Sequence, residues 1–262
     1  MKKIILYFAV VITTSALTSC RNSEQDKEKE AMDSLAAAAN LRVQNLVHLF
    51  KHPITLPFVV DSAFLAKEKF GDSLGTNELK LLSGNRFKHE LTDPLEYQLD
   101  DFYKIDSVKA TGTYPQWCEK LDIGMTKYAN AYAAGKIELD ANTTLLVWIL
   151  KIESFEACPW SNGRAVYFTS VKNGAPAETF IAGETYGAGD APVWMIRDIY
   201  SKLDTDGTLT MNWREENDDA DGTESEVEER KYIFSVKDGK WQSVKEDKRT
   251  PYKVPHPKDT VQ

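Results

Sequence analysis

A chain of 262 residues with 42% hydrophobic content and eleven each of Tyr and Phe can bury the core of one large or two small domains. Its formal charge of −8, from 40 acidic against 32 basic residues, argues against nucleic acid as a partner, because phosphate neutralisation needs a basic face. Beyond the amino-terminal segment, no apolar run approaches the roughly 20 residues that a membrane-spanning helix needs.

Lys2 and Lys3 precede an apolar run from Ile4 to Ile12, then small and hydroxyl residues from Thr13 to Ala16. The run is too short to cross a bilayer and reads as a secretory signal over residues 1–19. In that place Leu17-Thr18-Ser19-Cys20 resembles the lipobox of bacterial lipoproteins. The resemblance implies cleavage before Cys20 and acylation of its thiol and of the new amino group, with palmitate among the chains. Each buried CH2 is worth about 0.8 kcal/mol, so two or three chains hold a protein to a membrane. An ordinary signal with a chance cysteine is the alternative. Arg21 stands where Asp is the usual inner-membrane retention signal in the Gram-negative lipoproteins this segment resembles, which implies the outer membrane. Ser23-Glu24-Gln25-Asp26-Lys27-Glu28 is similar to the acidic export tag of some surface lipoproteins, and a solvated tether is the other reading, so the chain faces either the periplasm or the cell surface. Loss of Lys2 and Lys3 with the signal takes the formal charge from −8 to about −10.

Residues 20–30 are polar and read as a lipidated, flexible tether. A mainly helical part is predicted over 31–94. Met32, Leu35, Ala39, Val43, Leu46, Val47 and Phe50 recur at spacings of three and four and draw one apolar stripe down a helix that Pro53 ends. Ile54 to Val60 reads as an extended strand or docking segment. Ser62 and Asn77 are candidate caps of two short helices, the second ending near Gly84.

From residue 95 to 246 aromatic and β-branched runs alternate with turns, which predicts strands near 97–109, 127–139, 143–155, 164–171, 177–182, 193–203, 207–215, 226–236 and 240–246. Asn173-Gly174, Asp206-Gly207 and Asp238-Gly239 supply residues that tolerate positive φ, and short turns between consecutive strands make an antiparallel meander. The tail from 247 to 262 reads as extended. The expected class is α+β: an N-terminal helix or helices packed on a curved antiparallel β-meander that curls or partly closes into a barrel. The run Lys231-Tyr232-Ile233-Phe234-Ser235-Val236 and Gly239-Lys240-Trp241 resembles the C-terminal halves of several uncharacterised bacterial lipoproteins, which implies no activity.

With Cys20 acylated, Cys118 and Cys158 remain, in a compartment where disulfides persist. A disulfide packed against Trp117 and Trp160 is the economical reading and would stabilise by roughly 3 to 4 kcal/mol; two separate buried thiols are the alternative. His48 and His52 stand four apart on a helical segment, a spacing that suits a shared metal only if further ligands join. Asn217, Asp219, Asp221 and Glu228 match positions one, three, five and twelve of an EF-hand calcium loop, with Gly222 at six. Asn at position one, Glu224 at eight and strand-like flanks depart from that pattern, and an acidic solvated hairpin tip is the competing reading.

Six tryptophans suggest a sugar-stacking surface, with Trp117, Trp160 and Trp194 the candidates for a ligand groove and core packing the alternative fate. Gly183 to Asp190, with three glycines, reads as a flexible loop overhanging such a groove. Five Asp-Ser or Asp-Thr pairs, the last at Asp259-Thr260, resemble the short O-glycosylation sequon of some Gram-negative envelopes. No Gly-x-Ser-x-Gly, His-Glu-x-x-His or Ser-x-x-Lys is present, so catalytic residues are not assigned. The expected role is therefore non-catalytic binding of a glycan, a small ligand or an outer-membrane partner; a carboxylate-dependent glycan hydrolase and a purely structural lipoprotein are the alternatives.

Overall fold

The computed structural model of the chain describes residues 29, 38, 41–68, 70–92, 126–154, 160–190, 193–218 and 223–255. The signal, the lipobox with Cys20, the tether beyond residue 29, the expected strand at 97–109, Trp117, Cys118, Cys158, Asp219, Asp221 and the tail after 255 lie outside these residues. The chain divides into two compact units, residues 1–45 and 46–262. Of the first, the described residues 29, 38 and 41–45 are helical, and the helix continues to residue 49 (α1, 41–49).

The second unit begins with short elements that later cover a sheet. Pro53 ends the helical run, and residues 52–54 bridge to Lys136, whose N–H donates to His52 O at 2.9 Å while Ile54 N donates to Lys136 O at 2.8 Å. Strand β1 (Phe58–Val60) leads into helix α2 (Ser62–Leu65). The cap of α2 is Asp61, not Ser62: its carboxylate accepts from Phe64 N at 2.8 Å. After β2 (Ser73–Leu74), helix α3 (Thr76–Ser83) is capped at Gly75, two residues before the expected cap Asn77, and Glu78 reaches back to accept from Gly75 N at 3.0 Å. A 3-10 turn, Glu90–Thr92, follows.

The meander comprises β3 (Thr126–Asp140), β4 (Thr143–Ser154), β5 (Trp160–Lys172), β6 (Ala175–Asp190), β7 (Val193–Leu203), β8 (Thr208–Asp218), β9 (Glu224–Lys237), β10 (Lys240–Lys248) and β11 (Tyr252–Pro255). Neighbours pair antiparallel in the order β10-β9-β8-β7-β6-β5-β4-β3-β2, with β1 on β7 and β11 on β9. Asn173, Gly174, Gly207, Asp238 and Gly239 all hold positive φ, as their turns require. The stretch Gly183 to Asp190 is strand, the second half of β6, and not a loop. Its glycine meets a packing demand: a Cβ on Gly183 would lie 2.3 Å from Val60 Cγ1.

Strands β4 and β5 are buried on both faces, so Leu145 to Leu150 form an unbroken apolar run with every residue inside. One face is covered by α3, where Thr169 and Thr179 hydroxyls, 2.7 Å apart, both reach Leu82 O and Trp148 Nε1 donates to Thr169 at 2.9 Å. The other carries a file of rings, Phe58 to Phe64 to Phe70 to Tyr132, with centroids 5.2, 6.1 and 6.0 Å apart. Trp241 of β10 folds back to stack on Phe180 at 4.9 Å and on Phe168 at 6.1 Å.

The sheet bends without closing. β6 pairs with β7 only from Glu184 to Asp190; beyond that point the two strands part, β1 pairs with the end of β7, and Asn85 and Phe87 bond to Thr179 of β6. Closure is replaced by interlocking hairpin tips. Asn173 N donates to Asn142 O at 3.0 Å, Lys172 meets Asp238 at 2.9 Å, Ser170 Oγ donates to Gly239 O, and Trp241 N donates to Glu178 at 2.7 Å.

Those tips carry an acid-sensitive component. The backbone N–H of Asn142 lowers the Asp140 carboxyl below its ordinary range, that of Thr208 lowers Asp206, and the Lys172 ammonium lowers Asp238. A depressed folded-state value contributes stability above the unfolded value of about 3.9, and that stability is lost as pH falls through the folded value. Asp238→Asn keeps a residue that tolerates positive φ but removes the charge. Melting temperature measured from pH 6 to pH 2.5 should fall less steeply for this variant below about pH 4 than for the parent chain; superimposable profiles would refute the assignment.

Candidate functional site

The region where β6 and β7 remain paired carries a cluster of charged residues on an inward face. Cross-strand register aligns two ranks of residues over four strands. The first is Glu184, Ile199, Trp213 and Arg230; the second is Tyr186, Arg197, Glu215 and Glu228. Trp213 and Glu215 continue the inward alternation of Leu209 and Met211 along β8, as Arg230 and Glu228 continue that of Phe234 and Tyr232 along β9.

Two guanidiniums organise the ranks. Arg197 donates through Nε and Nη2 to Glu215 Oε2, at 2.8 and 2.7 Å, and its Nη1 lies 3.7 Å from Glu184 Oε2. Glu184 is fully buried, and its strand position beside the parting of β6 and β7 holds it there. A buried carboxylate needs charged or hydrogen-bonding company, which Arg197 provides. Arg230 donates through Nε and Nη2 to Glu228 Oε1, at 2.9 and 2.8 Å, and through Nη1 to Tyr232 Oη at 3.1 Å and to Glu90 Oε1. Its guanidinium lies over the Trp213 ring, 5.0 Å from the centroid. Lys248 also meets Glu228, and Glu246 lies 3.9 Å from Arg230.

Glu90 belongs to the 3-10 turn, and Tyr232 Oη donates to it at 2.8 Å. Burial, partly offset by Arg230, pushes the Tyr232 phenol up to about 12, so it remains a hydroxyl at any physiological pH. His89 packs edge-on against Tyr232 at 5.4 Å and Phe234 at 5.6 Å. It serves as an aromatic strut beneath the turn.

Glu90, Leu91, Arg197, Ile199, Trp213, Glu215, Glu228 and Arg230 enclose a cleft of about 400 Å³. A second, more open groove of about 600 Å³ lies among Asp198, Tyr200, Asn212, Arg214, Glu229, Lys231 and Arg249. Strand alternation sets the side chains at 198, 200, 212, 214, 229 and 231 on the opposite face of β7–β9. The inner cleft is the better candidate because it gathers two arginine–carboxylate pairs, Arg197 with Glu215 and Arg230 with Glu228, beside an indole.

The sequence-predicted residues are distributed otherwise. Trp148 and Trp241 are core residues, and Trp213 is the tryptophan of the cleft. Trp160 and Trp194 occupy the strand positions on either side of Gly189, and Trp117 lies outside the described residues. Of the calcium-loop positions, Asn217 Nδ2 donates to Glu215 at 3.0 Å and Glu228 serves Arg230 and Lys248, while Asp219 and Asp221 lie outside the described residues. The flanks of that loop are the strands β8 and β9. Among the described residues no three of His, Cys, Asp and Glu gather at a metal-holding spacing. Cys118 and Cys158 fall outside the described residues. Comparison with family models, with curated proteins and with solved structures finds nothing that matches the chain.

Arg197→Met should destabilise by about 3 kcal/mol or more, since it strips two inward carboxylates of their guanidinium. Adding Glu184→Gln should restore part of the loss. Urea unfolding of the single and double variants checks this, and a double variant weaker than the sum of the two single changes would show that Arg197 does not balance Glu184.

Proposed function

We propose that this is a lipid-anchored protein of the bacterial outer membrane that binds a hydroxyl-rich ligand, a segment of a glycan, in the cleft between Arg197 and Arg230. One observation carries the binding reading: Arg197, Arg230, Glu215 and Glu228 present fixed donors and acceptors beside Trp213 in a half-buried concavity. Vicinal hydroxyls pair with such planar groups through charge-assisted hydrogen bonds, and the Trp213 ring beneath Arg230 holds that guanidinium in place. The lipid anchor is supported by the resemblance of Leu17-Thr18-Ser19-Cys20 to a lipobox.

A second reading, a carboxylate-dependent glycan hydrolase, rests on Glu215 and Glu228 being direct cross-strand partners in the same cleft. Binding is preferred because both carboxylates accept from arginine, whereas hydrolysis requires one of the pair to hold a proton for the leaving oxygen.

Thermal unfolding of the mature chain against a glycan panel tests the binding reading. A ligand at a hundred times its dissociation constant should add about 2.7 kcal/mol, a rise of several degrees for a chain this size, and Arg230→Gln should abolish that rise. A panel without any shift would sink the reading, and release of new reducing ends would favour the hydrolase. For the anchor, cells fed an alkyne-tagged palmitate should label the native chain and not Cys20→Ser, which should leave the membrane fraction; equal partition of the two would rule the anchor out.

A further inference from the structure

Glu90 sits in the cleft as a ligand would. Its carboxylate takes the Nη1 edge of Arg230 and the hydroxyl of Tyr232, which together form a donor pair backed by the Trp213 ring. The receptor is built deep and its occupant is shallow: the Arg230 side chain is 15% exposed, that of Glu90 51%. The other edge of Arg230 is already committed to Glu228. The Nη1 edge of the stacked guanidinium is taken by a residue from a surface turn, with Glu246 Oε1 standing farther off at 3.9 Å.

The turn does not depend on that contact. His89 packs its ring on Tyr232 and Phe234, Leu91 is buried, and Leu91 N donates to His89 Nδ1 at 3.3 Å. Residues on both sides of Glu90 are thus anchored by apolar packing, and rotation of one side chain would clear the donors while the backbone stays in place. The charge balance of the cleft also permits the exchange. Arg197, Arg230 and Lys248 stand against Glu90, Glu184, Glu215, Glu228 and Glu246. A free anion added to this group would be repelled, but one that replaces Glu90 leaves the sum unchanged.

We propose that the Arg230–Tyr232–Trp213 constellation is a carboxylate subsite of the glycan cleft, specific for an acidic sugar such as a uronate, and that Glu90 occupies it in the absence of ligand. This rests on the glycan-binding reading and names its ligand class. Glu90 then acts as a built-in competitor that neutral sugars do not have to displace from these donors.

Isothermal titration with galacturonate oligomers and galactose oligomers of the same length tests it, on the parent chain and on Glu90→Ala. The ratio of acidic to neutral affinity should rise about tenfold in Glu90→Ala, the worth of one charge-assisted hydrogen bond. Arg230→Lys, which keeps the charge but loses the fork, should lower that ratio. Neutral oligomers bound as well as acidic ones, with a ratio indifferent to Glu90, would overturn the carboxylate subsite and leave glycan binding standing. Binding of neither, in both chains, would overturn both.

Discussion

The separation of β6 from β7 is the constraint on which the rest of the second unit depends. A bulge shifts the β5–β6 register between Val166 and Tyr167, and Gly183 stands beside it without a side chain because Val60 occupies that space. A larger residue at 183 would expel β1 from its pairing with β7. Without β1 and the 85–87 segment in the gap, the facing edges of β6 and β7 would be left with unpaired backbone groups. The same parting gives the sheet its bend, which lets Trp241 reach Phe180 and brings the 3-10 turn over β9.

The charged ranks begin where the parting ends. Glu184 is the first β6 residue paired with β7, so its side chain is buried by neighbours on both sheet partners. An isolated carboxylate there would be too costly to bury. Arg197 lies one step along the next strand, on the same face, and shares itself between Glu184 and Glu215. Arg230 repeats the device two strands away with Glu228 and Glu90. Fixed charge of this kind adds little net stability, but it positions donors and acceptors that water would otherwise leave free to rotate.

Much of the sheet was legible because local chemistry decides it. Asn173-Gly174 and Asp238-Gly239 announce their turns, and the strand read at 193–203 coincides with β7. From sequence alone β5 and β6 look shorter than they are, since Gly163, Gly183, Gly187 and Gly189 resemble strand breakers. At Gly163 a Cβ would lie 2.6 Å from the Tyr186 ring, a contact separated by many residues in the chain. The cleft is not legible for a related reason: its residues come from three strands and the 3-10 turn, and only register and tertiary packing unite them. Yet the sequence held one clue. In Leu209-Thr-Met-Asn-Trp-Arg-Glu215 and Glu228-Glu-Arg-Lys-Tyr-Ile-Phe234 the inward alternation runs from apolar residues into charged ones without changing phase, which marks a face that begins as core and ends as a polar cavity.

The double burial of the central strands has a consequence for assembly. Phe168 meets Phe58 and Phe180 meets Phe87 from the segments before the meander, but their cover is completed only by Trp241 of β10, near the end of the described chain. A chain emerging amino end first would leave the Phe168 and Phe180 patch of β5 and β6 partly open until the last hairpin docks. Such strands attract one another between molecules. The interlocked tips, with Ser170, Lys172 and Glu178 all waiting for residues 238–241, make that final docking specific to the chain's own β9–β10 hairpin and so favour self-completion over pairing with a neighbour.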